Sequence, residues 1–324
     1  MEYVTLGRTG LKVSVAGLGC GGFSRLGLGA GKSTAEAVAL IRRALDVGVN
    51  LLDTAAVYGT EEVVGEAVKH LPREDVVIAT KAWIPRSAGR NAAERAVAGL
   101  DASLRRLGTD YVDIFQLHGV MPTAYRQARE VIAPALLKEQ AKGKFRHLGI
   151  TEAASEDPEH GMLQRAVEDE VWDVVMVAFH MMHQNARTKL FPRTIAKHVG
   201  TLLMFAVRNI FSRPERLATA LRELTARREL PRWLADAPNP LGFLIHEAGA
   251  RTITEAAYRF ARHEPGVDVV LFGTGDPEHL RANIAALLAP PLPLADRLTL
   301  TKLFGRLSGV GLDPPYSMSG MGSP

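Results

Sequence analysis

Apolar and polar positions follow two periods along this chain. Short, nearly continuous apolar runs alternate with longer segments whose apolar residues recur every 3.6 positions. The first run, residues 13–18, is interrupted only by Ser14 and leads into Gly19-Cys20-Gly21-Gly22. Ser33-Thr34-Ala35-Glu36 then has the form of a capping box, with Ser33 placed to cap a helix and Glu36 to reach back. Ala37, Leu40, Ile41, Ala44 and Leu45 mark the apolar face of that helix, and Gly48 its end.

The rhythm repeats to the end of the chain. Apolar runs at 49–52, 76–80, 111–117, 145–150, 173–179, 201–205 and 267–272 predict strands. Helices are predicted at 61–70, 91–107, 123–142, 158–169, 187–198 and 252–262, with a last one opening at Pro277. Asn91 and Glu94 stand in capping-box register, and Val97, Leu100 and Leu104 share a face. Eight short apolar strands alternating with helices predict an α/β fold whose parallel sheet is buried on both faces. Eight such units close as a (β/α)8 TIM barrel, here over residues 1–311, with a Pro/Gly/Ser-rich, poorly ordered tail over 312–324. A doubly wound dinucleotide-binding sheet would carry G-x-G-x-x-G after its first strand, and none follows Leu18.

Composition agrees with a globular enzyme-sized chain: 324 residues, 47% hydrophobic and 23% charged. Lys and Arg exceed Asp and Glu by 39 to 35, a net +4 that suits anionic ligands mildly and does not suggest a nucleic-acid binder. The single cysteine excludes an internal disulfide and a multi-cysteine zinc site and fits a reducing compartment. No apolar run approaches the roughly 18 residues that span a bilayer. With no legible signal peptide, the expectation is a cytoplasmic protein without membrane contact; the oligomeric state is not legible.

In such a barrel, chemistry belongs to the C-terminal ends of the strands. Asp53 and Tyr58 follow the second strand, Lys81 the third, and His118 the fourth. Each has an ordinary structural reading when taken alone. Together they suit carbonyl reduction. An ammonium beside a tyrosine favours the phenolate, so Lys81, held by Asp53, makes Tyr58 a better acid. His118 adds a hydrogen bond that orients a carbonyl oxygen. None of the four is an electron source, so a bound hydride donor is required.

The chain resembles the aldo-keto reductases. The resemblance is carried by residues 6–14 (LGRTGLKVS), Asp53-Thr54-Ala55 with Tyr58-Gly59, and Ser103-Leu104-Arg105-Arg106-Leu107 with Asp110-Tyr111-Val112-Asp113. Leu117-His118, residues 143–150 (GKFRHLGI) and residues 273–283 complete it. It implies a barrel closed at the bottom by an N-terminal hairpin, and NAD(P)H bound in extended form at the top. It also implies a catalytic tetrad of Tyr58 as acid, Lys81 and Asp53 as its tuning pair, and His118 as orienting residue.

The cofactor-binding residues implied are Gly21 in the turn beside the nicotinamide, Thr151, Glu152 and Met176 at its carboxamide, and Phe205 stacking on it. Arg208 or Arg213 would clamp the pyrophosphate, with Gly273, Thr274, Gly275, Arg281 and Asn283 around the adenosine phosphate. Relatives carry Ser-Asn and Gln where this chain has Thr151-Glu152 and Met176, and often Tyr where it has Phe205. NADP(H) is placed ahead of NAD(H) on family frequency, although Thr274, Gly275 and Asp276 stand where NADPH-preferring relatives carry Lys or Arg. Phe23 and Trp83 are candidates for the substrate wall, the substrate being a small-molecule carbonyl. Two alternatives remain: a cofactor-binding regulatory barrel of the channel-subunit kind, and a non-redox barrel enzyme such as a lyase or epimerase. His180-Met181-Met182-His183 lacks an accompanying carboxylate or cysteine, so no metal is expected there. Cys20 reads as a small buried residue.

Overall fold

A computed structural model describes residues 1–84 and 86–312. An antiparallel hairpin, β1 (Tyr3–Thr5) and β2 (Lys12–Ser14), precedes the barrel. The barrel strands are β3 (Ala16–Gly19), β4 (Leu51–Asp53), β5 (Val77–Ala82), β6 (Val112–Val120), β7 (Phe145–Glu152), β8 (Val174–Ala178), β9 (Gly200–Met204) and β10 (Val269–Phe272). They pair in parallel in this order, and β10 returns to β3 to close the barrel. This is the expected (β/α)8 barrel. The run at 13–18 proves to be two elements, because the chain leaves the hairpin at Ser14 and enters the barrel at Ala16.

Alternation along each strand divides the apolar residues between two cores. Leu52, Ile78, Phe115, Leu148 and Val175 face the surrounding helices. Leu51, Val77, Ala79, Ile114, Val174, Met176 and Leu202 face inward. The inner core is completed from below by Leu6, Leu11 and Val13 of the hairpin, so the bottom is plugged and only the top is open to chemistry. Gly7 lets this plug seat: at φ 47° its backbone passes so close to β9 that a Cβ would fall 2.2 Å from the Gly200 nitrogen. Arg8 anchors the same turn, with Nε 3.0 Å from Asp173 and further bonds to the Glu170 and Trp172 carbonyls.

Several helices differ in their bounds. The capping box at Ser33 and Glu36 forms and opens helix Thr34–Asp46. Asn91 makes no side-chain cap on helix Ala92–Leu107. The segment 187–198 is two short helices, Ala186–Lys189 and Phe191–Ala196, because Pro192 has no N–H to continue the first. The segment 123–142 holds a π-turn at Ala128–Ile132 before helix Ala133–Ala141. Of 158–169 only Gly161–Ala166 is α-helical, and the arginine-rich stretch contains helix Pro214–Ala226. Helix Leu294–Phe304 has no apolar stripe to announce it: Leu294 and Leu298 are exposed while Leu300 and Phe304 are buried. Residues 313–324 of the expected tail lie outside the described residues. Leu312 is packed, against Ala154 and Ala178.

Candidate active site

Pairing register assembles the four ionisable residues. Asp53 ends β4 opposite Ala79, and Lys81 lies two residues further along β5 on the same inward face. Lys81 in turn pairs with Gln116, and His118 lies two residues beyond that on β6. Each neighbouring strand therefore advances its side chain by one period of two, a staircase that rises around the barrel mouth. Tyr58 enters from the short 3-10 turn Ala56–Tyr58 after β4.

Lys81 is wholly buried. Its Nζ lies 2.7 Å from both Asp53 carboxylate oxygens and donates to the Thr54 carbonyl at 2.9 Å. Burial acts to discharge the ammonium, but the Asp53 carboxylate and Tyr58 outweigh it and hold the Lys81 pKa above its ordinary value. Burial raises the pKa of Asp53, and the Lys81 charge, its hydrogen bond and the nearby Gln116 amide oppose the rise. Gln116, fully buried at an inward position of β6, thus belongs to the site. Its signal in the sequence is a lone amide within an apolar run, two residues before His118.

The Lys81 ammonium lies 5.0 Å from the centroid of the Tyr58 ring. Tyr58 Oη is 3.4 Å from His118 Nε2, and the two rings meet edge-on, 5.5 Å apart at 90°. Burial, and then the Lys81 charge, depress the His118 pKa to about 3, so this imidazole is neutral at physiological pH. Of the four residues, Tyr58 and His118 retain partial exposure, whereas Lys81 and Asp53 are enclosed. Gly21 supports the tyrosine: a Cβ there would fall 2.5 Å from the Tyr58 ring. Arg25 donates from Nε to the Tyr58 carbonyl at 2.8 Å.

Around this centre the expected cofactor residues take varied positions. Thr151 is buried at the top of β7, its hydroxyl accepting from Gly119 N–H at 2.7 Å and keeping its own proton to donate. Glu152 is turned into the protein. One carboxylate oxygen accepts from Ala178 N–H at 2.8 Å, and the other lies 2.8 Å from His160 Nδ1. Met176 fills the inner core. Phe205, at φ 73°, follows β9, and the Arg208 guanidinium lies 4.1 Å from its centroid and 5.2 Å from that of Phe23. Phe23 and Trp83 are exposed.

Gly273, Thr274 and Gly275 lead into helix Pro277–Leu288, on which Asn283 is buried. Asp276 caps this helix, accepting from Glu278 and His279 N–H, and those bonds hold its carboxyl below the usual range. Arg281 is paired with Glu278. The glycine loop and helix N-terminus suit a dinucleotide's phosphates, and the Thr151 hydroxyl and Phe205 ring suit a nicotinamide. Glu152 and Met176, the other residues expected at the carboxamide, are engaged within the protein itself.

The sequence model of the Aldo/keto reductase family matches residues 17–301. This chain belongs to that family. Its members are oxidoreductases that use nicotinamide cofactors. L-galactose dehydrogenase of Arabidopsis thaliana is 39% identical over 157 residues, 47% of this chain and 48% of the relative, so that match spans about half of each protein. Aldo-keto reductase YhdN of Bacillus subtilis (strain 168) is 28% identical over 298 residues, 87% of each chain. Among solved structures, aldo-keto reductase AKR11C1 from Bacillus halodurans in its holo form superposes with a TM-score of 0.71. It is 23% identical and the match covers 94% of this chain and 96% of that one. An aldo/keto reductase from Klebsiella pneumoniae in complex with NADP and acetate gives a TM-score of 0.63 at 24% identity, covering 93% and 95%. At these identities the structures establish the shared barrel fold.

Among the described residues no group of three or more His, Cys, Asp or Glu is placed to hold a metal ion. His180 and His183 are fully buried, with ring centroids 5.9 Å apart. Cys20 is likewise fully buried. No described helix is long and apolar enough to cross a membrane.

Two predictions follow from these burials. Lys81→Met strands the Asp53 carboxylate and lowers unfolding free energy by about 3–5 kcal/mol, whereas Lys81→Met with Asp53→Asn recovers most of it; denaturant unfolding reads both. The second concerns acid. Burial holds His118 and His180 to a pKa of about 3 and His183 to about 2, all below the unfolded value of 6.5. Folded and unfolded forms are equally neutral above that value, so stability is complete there. It falls as pH drops below about 6.5, where only the unfolded chain takes up protons. Melting temperature declines accordingly from neutral pH toward pH 5. His183→Gln flattens the decline by up to about one proton, and an unchanged slope would contradict the assignment.

Proposed function

We propose that the protein is an NAD(P)H-dependent reductase of aldehydes, ketones or sugar carbonyls, working reversibly on the corresponding alcohols, with Tyr58 as general acid and base. The observation that carries this reading is the enclosed Lys81–Asp53 pair directed at Tyr58, beside a neutral His118. A bound dihydronicotinamide supplies the hydride. The residues of the chain place the carbonyl oxygen and protonate it.

The proton source follows by elimination. His118, with its pKa near 3, carries no imidazolium proton to give at neutral pH. Lys81 is wholly enclosed and held by Asp53 and the Thr54 carbonyl inside the barrel. Tyr58 is left, partly exposed and next to a fixed positive charge that stabilises its phenolate. As the carbonyl carbon gains hydride, the oxygen takes the Tyr58 proton, and the phenolate is reprotonated from solvent. A neutral His118 orients the same oxygen through a ring N–H. For alcohol oxidation the steps reverse, with the Tyr58 phenolate as base.

Thr151 donating to the carboxamide and Phe205 stacking on the ring support the cofactor's place at the mouth. Glu152 has a positioning role, tying the top of β7 to that of β8 through the Ala178 N–H and held there by His160. Phe23 and Trp83 form the substrate wall. NADP(H) is placed ahead of NAD(H). The NADP complex of the Klebsiella pneumoniae neighbour supports that order, and the likeness to L-galactose dehydrogenase makes aldoses the first substrates to assay.

The test pairs cofactor binding with turnover. Quenching of protein fluorescence by NADPH or NADH is expected in both the unsubstituted protein and Tyr58→Phe. Carbonyl reduction falls by about 10²–10⁴ in kcat in the variant, with cofactor affinity preserved. Failure of both cofactors to bind at millimolar concentration would overturn the assignment.

A further inference from the structure

The loop between β3 and the first long helix carries a cation that the proposed catalytic chemistry does not use. Lys32 bridges to the neighbouring loop after β10, where its Nζ donates to the Gly275 carbonyl at 2.7 Å. The loop is pressed onto the glycine turn after β10: a Cβ on Gly275 would fall 2.4 Å from Gly27 Cα. Gly27, at φ 97°, packs in turn on the Lys32 stem, where a Cβ would meet Cδ at 2.7 Å. Glycine at both positions allows the two loops to touch, and their contact carries the lysine to residues 273–276.

The other charges around this turn are already engaged. Arg281 is ion-paired with Glu278. Asp276 accepts from the first N–H groups of its helix. Glu36 accepts from Ser33 N–H and Oγ. Asp276 and Glu36 both feel the Lys32 charge, yet among the described residues Lys32 makes no ion pair within 4.0 Å. An ammonium has three donors, and the partner in hand is one neutral carbonyl.

We propose that Lys32 binds a phosphate of the nicotinamide dinucleotide, supplying from the loop after β3 the cation missing from positions 274–276. The proposal rests on the reductase reading and deepens it. Lysine serves phosphates as a point charge. Its place beside the turn after β10 brings either the adenosine 2′-phosphate or the pyrophosphate within the chemistry it can recognise.

The experiment is equilibrium titration of NADPH and NADH, without substrate, into the unsubstituted protein, Lys32→Met and Lys32→Arg. Lys32→Met keeps the apolar stem that packs on Gly27 and removes the charge, and its melting temperature verifies folding. The expected result is about ten- to a hundredfold weaker binding in Lys32→Met, largely restored in Lys32→Arg. Loss confined to NADPH assigns the 2′-phosphate; equal loss for both cofactors assigns the pyrophosphate. Unchanged affinity in a folded Lys32→Met overturns the proposal alone. So does equal weakening in Lys32→Arg, which would mean that loop packing and not charge was lost. Binding of neither cofactor by the unsubstituted protein overturns the reductase reading and this proposal with it.

Discussion

An ammonium group with no solvent contact sits at the mouth of this barrel, and the arrangement around it follows from keeping it charged. Isolated, a buried lysine would lose its proton. Two Asp53 oxygens at 2.7 Å and the Thr54 carbonyl at 2.9 Å prevent that. Such a pair is a poor means of stabilising a fold, because two apolar residues of similar volume would serve as well. Its value is a fixed positive field at the ring of Tyr58. Burial, helped by the same charge, keeps His118 neutral. In the proposed mechanism this one enclosed charge separates the roles of two neighbouring groups, Tyr58 giving up its proton beside the ammonium and His118 serving as an uncharged hydrogen-bonding ring.

The scaffold makes this inexpensive to build. Each parallel strand is offset from the last by its pairing register, so inward positions at the ends of β4, β5 and β6 form a rising series without any special loop. The hairpin fills the opposite end with Leu6, Leu11 and Val13, which leaves one open face. On that face the loops are less regular. Gly21 makes room for Tyr58, and Gly27 and Gly275 let two loops meet. Glu152 is held inside the protein by His160, whose second ring nitrogen lies 2.9 Å from Asn185 Oδ1. A carboxylate there is compatible with burial because it is paired on both oxygens.

The strands were legible because parallel strands buried on both faces leave an apolar run that needs no context. The capping box at Ser33 and Glu36 was legible for a similarly local reason. What escaped depends on tertiary placement. Ser14 ends the hairpin and Ala16 opens the barrel, yet the two strands read as one run. Helix Leu294–Phe304 has leucines on its solvent side, so its pattern shows no stripe. The tetrad residues stood out by type and by position at strand ends, although their contacts arise from register across three strands. The destination of Glu152 was not legible, since His160 meets it only through the fold. Lys32 escaped for the same reason, being 243 positions from the carbonyl it touches.

The most direct test of the account is an ultraviolet difference titration of tyrosinate in the unsubstituted protein, Tyr58→Phe and Lys81→Met. The account predicts one tyrosine ionising below the ordinary value near ~10. That step is absent from Tyr58→Phe and displaced upward in Lys81→Met. A Tyr58 that ionises at or above the ordinary value, and is indifferent to the loss of Lys81, would contradict it.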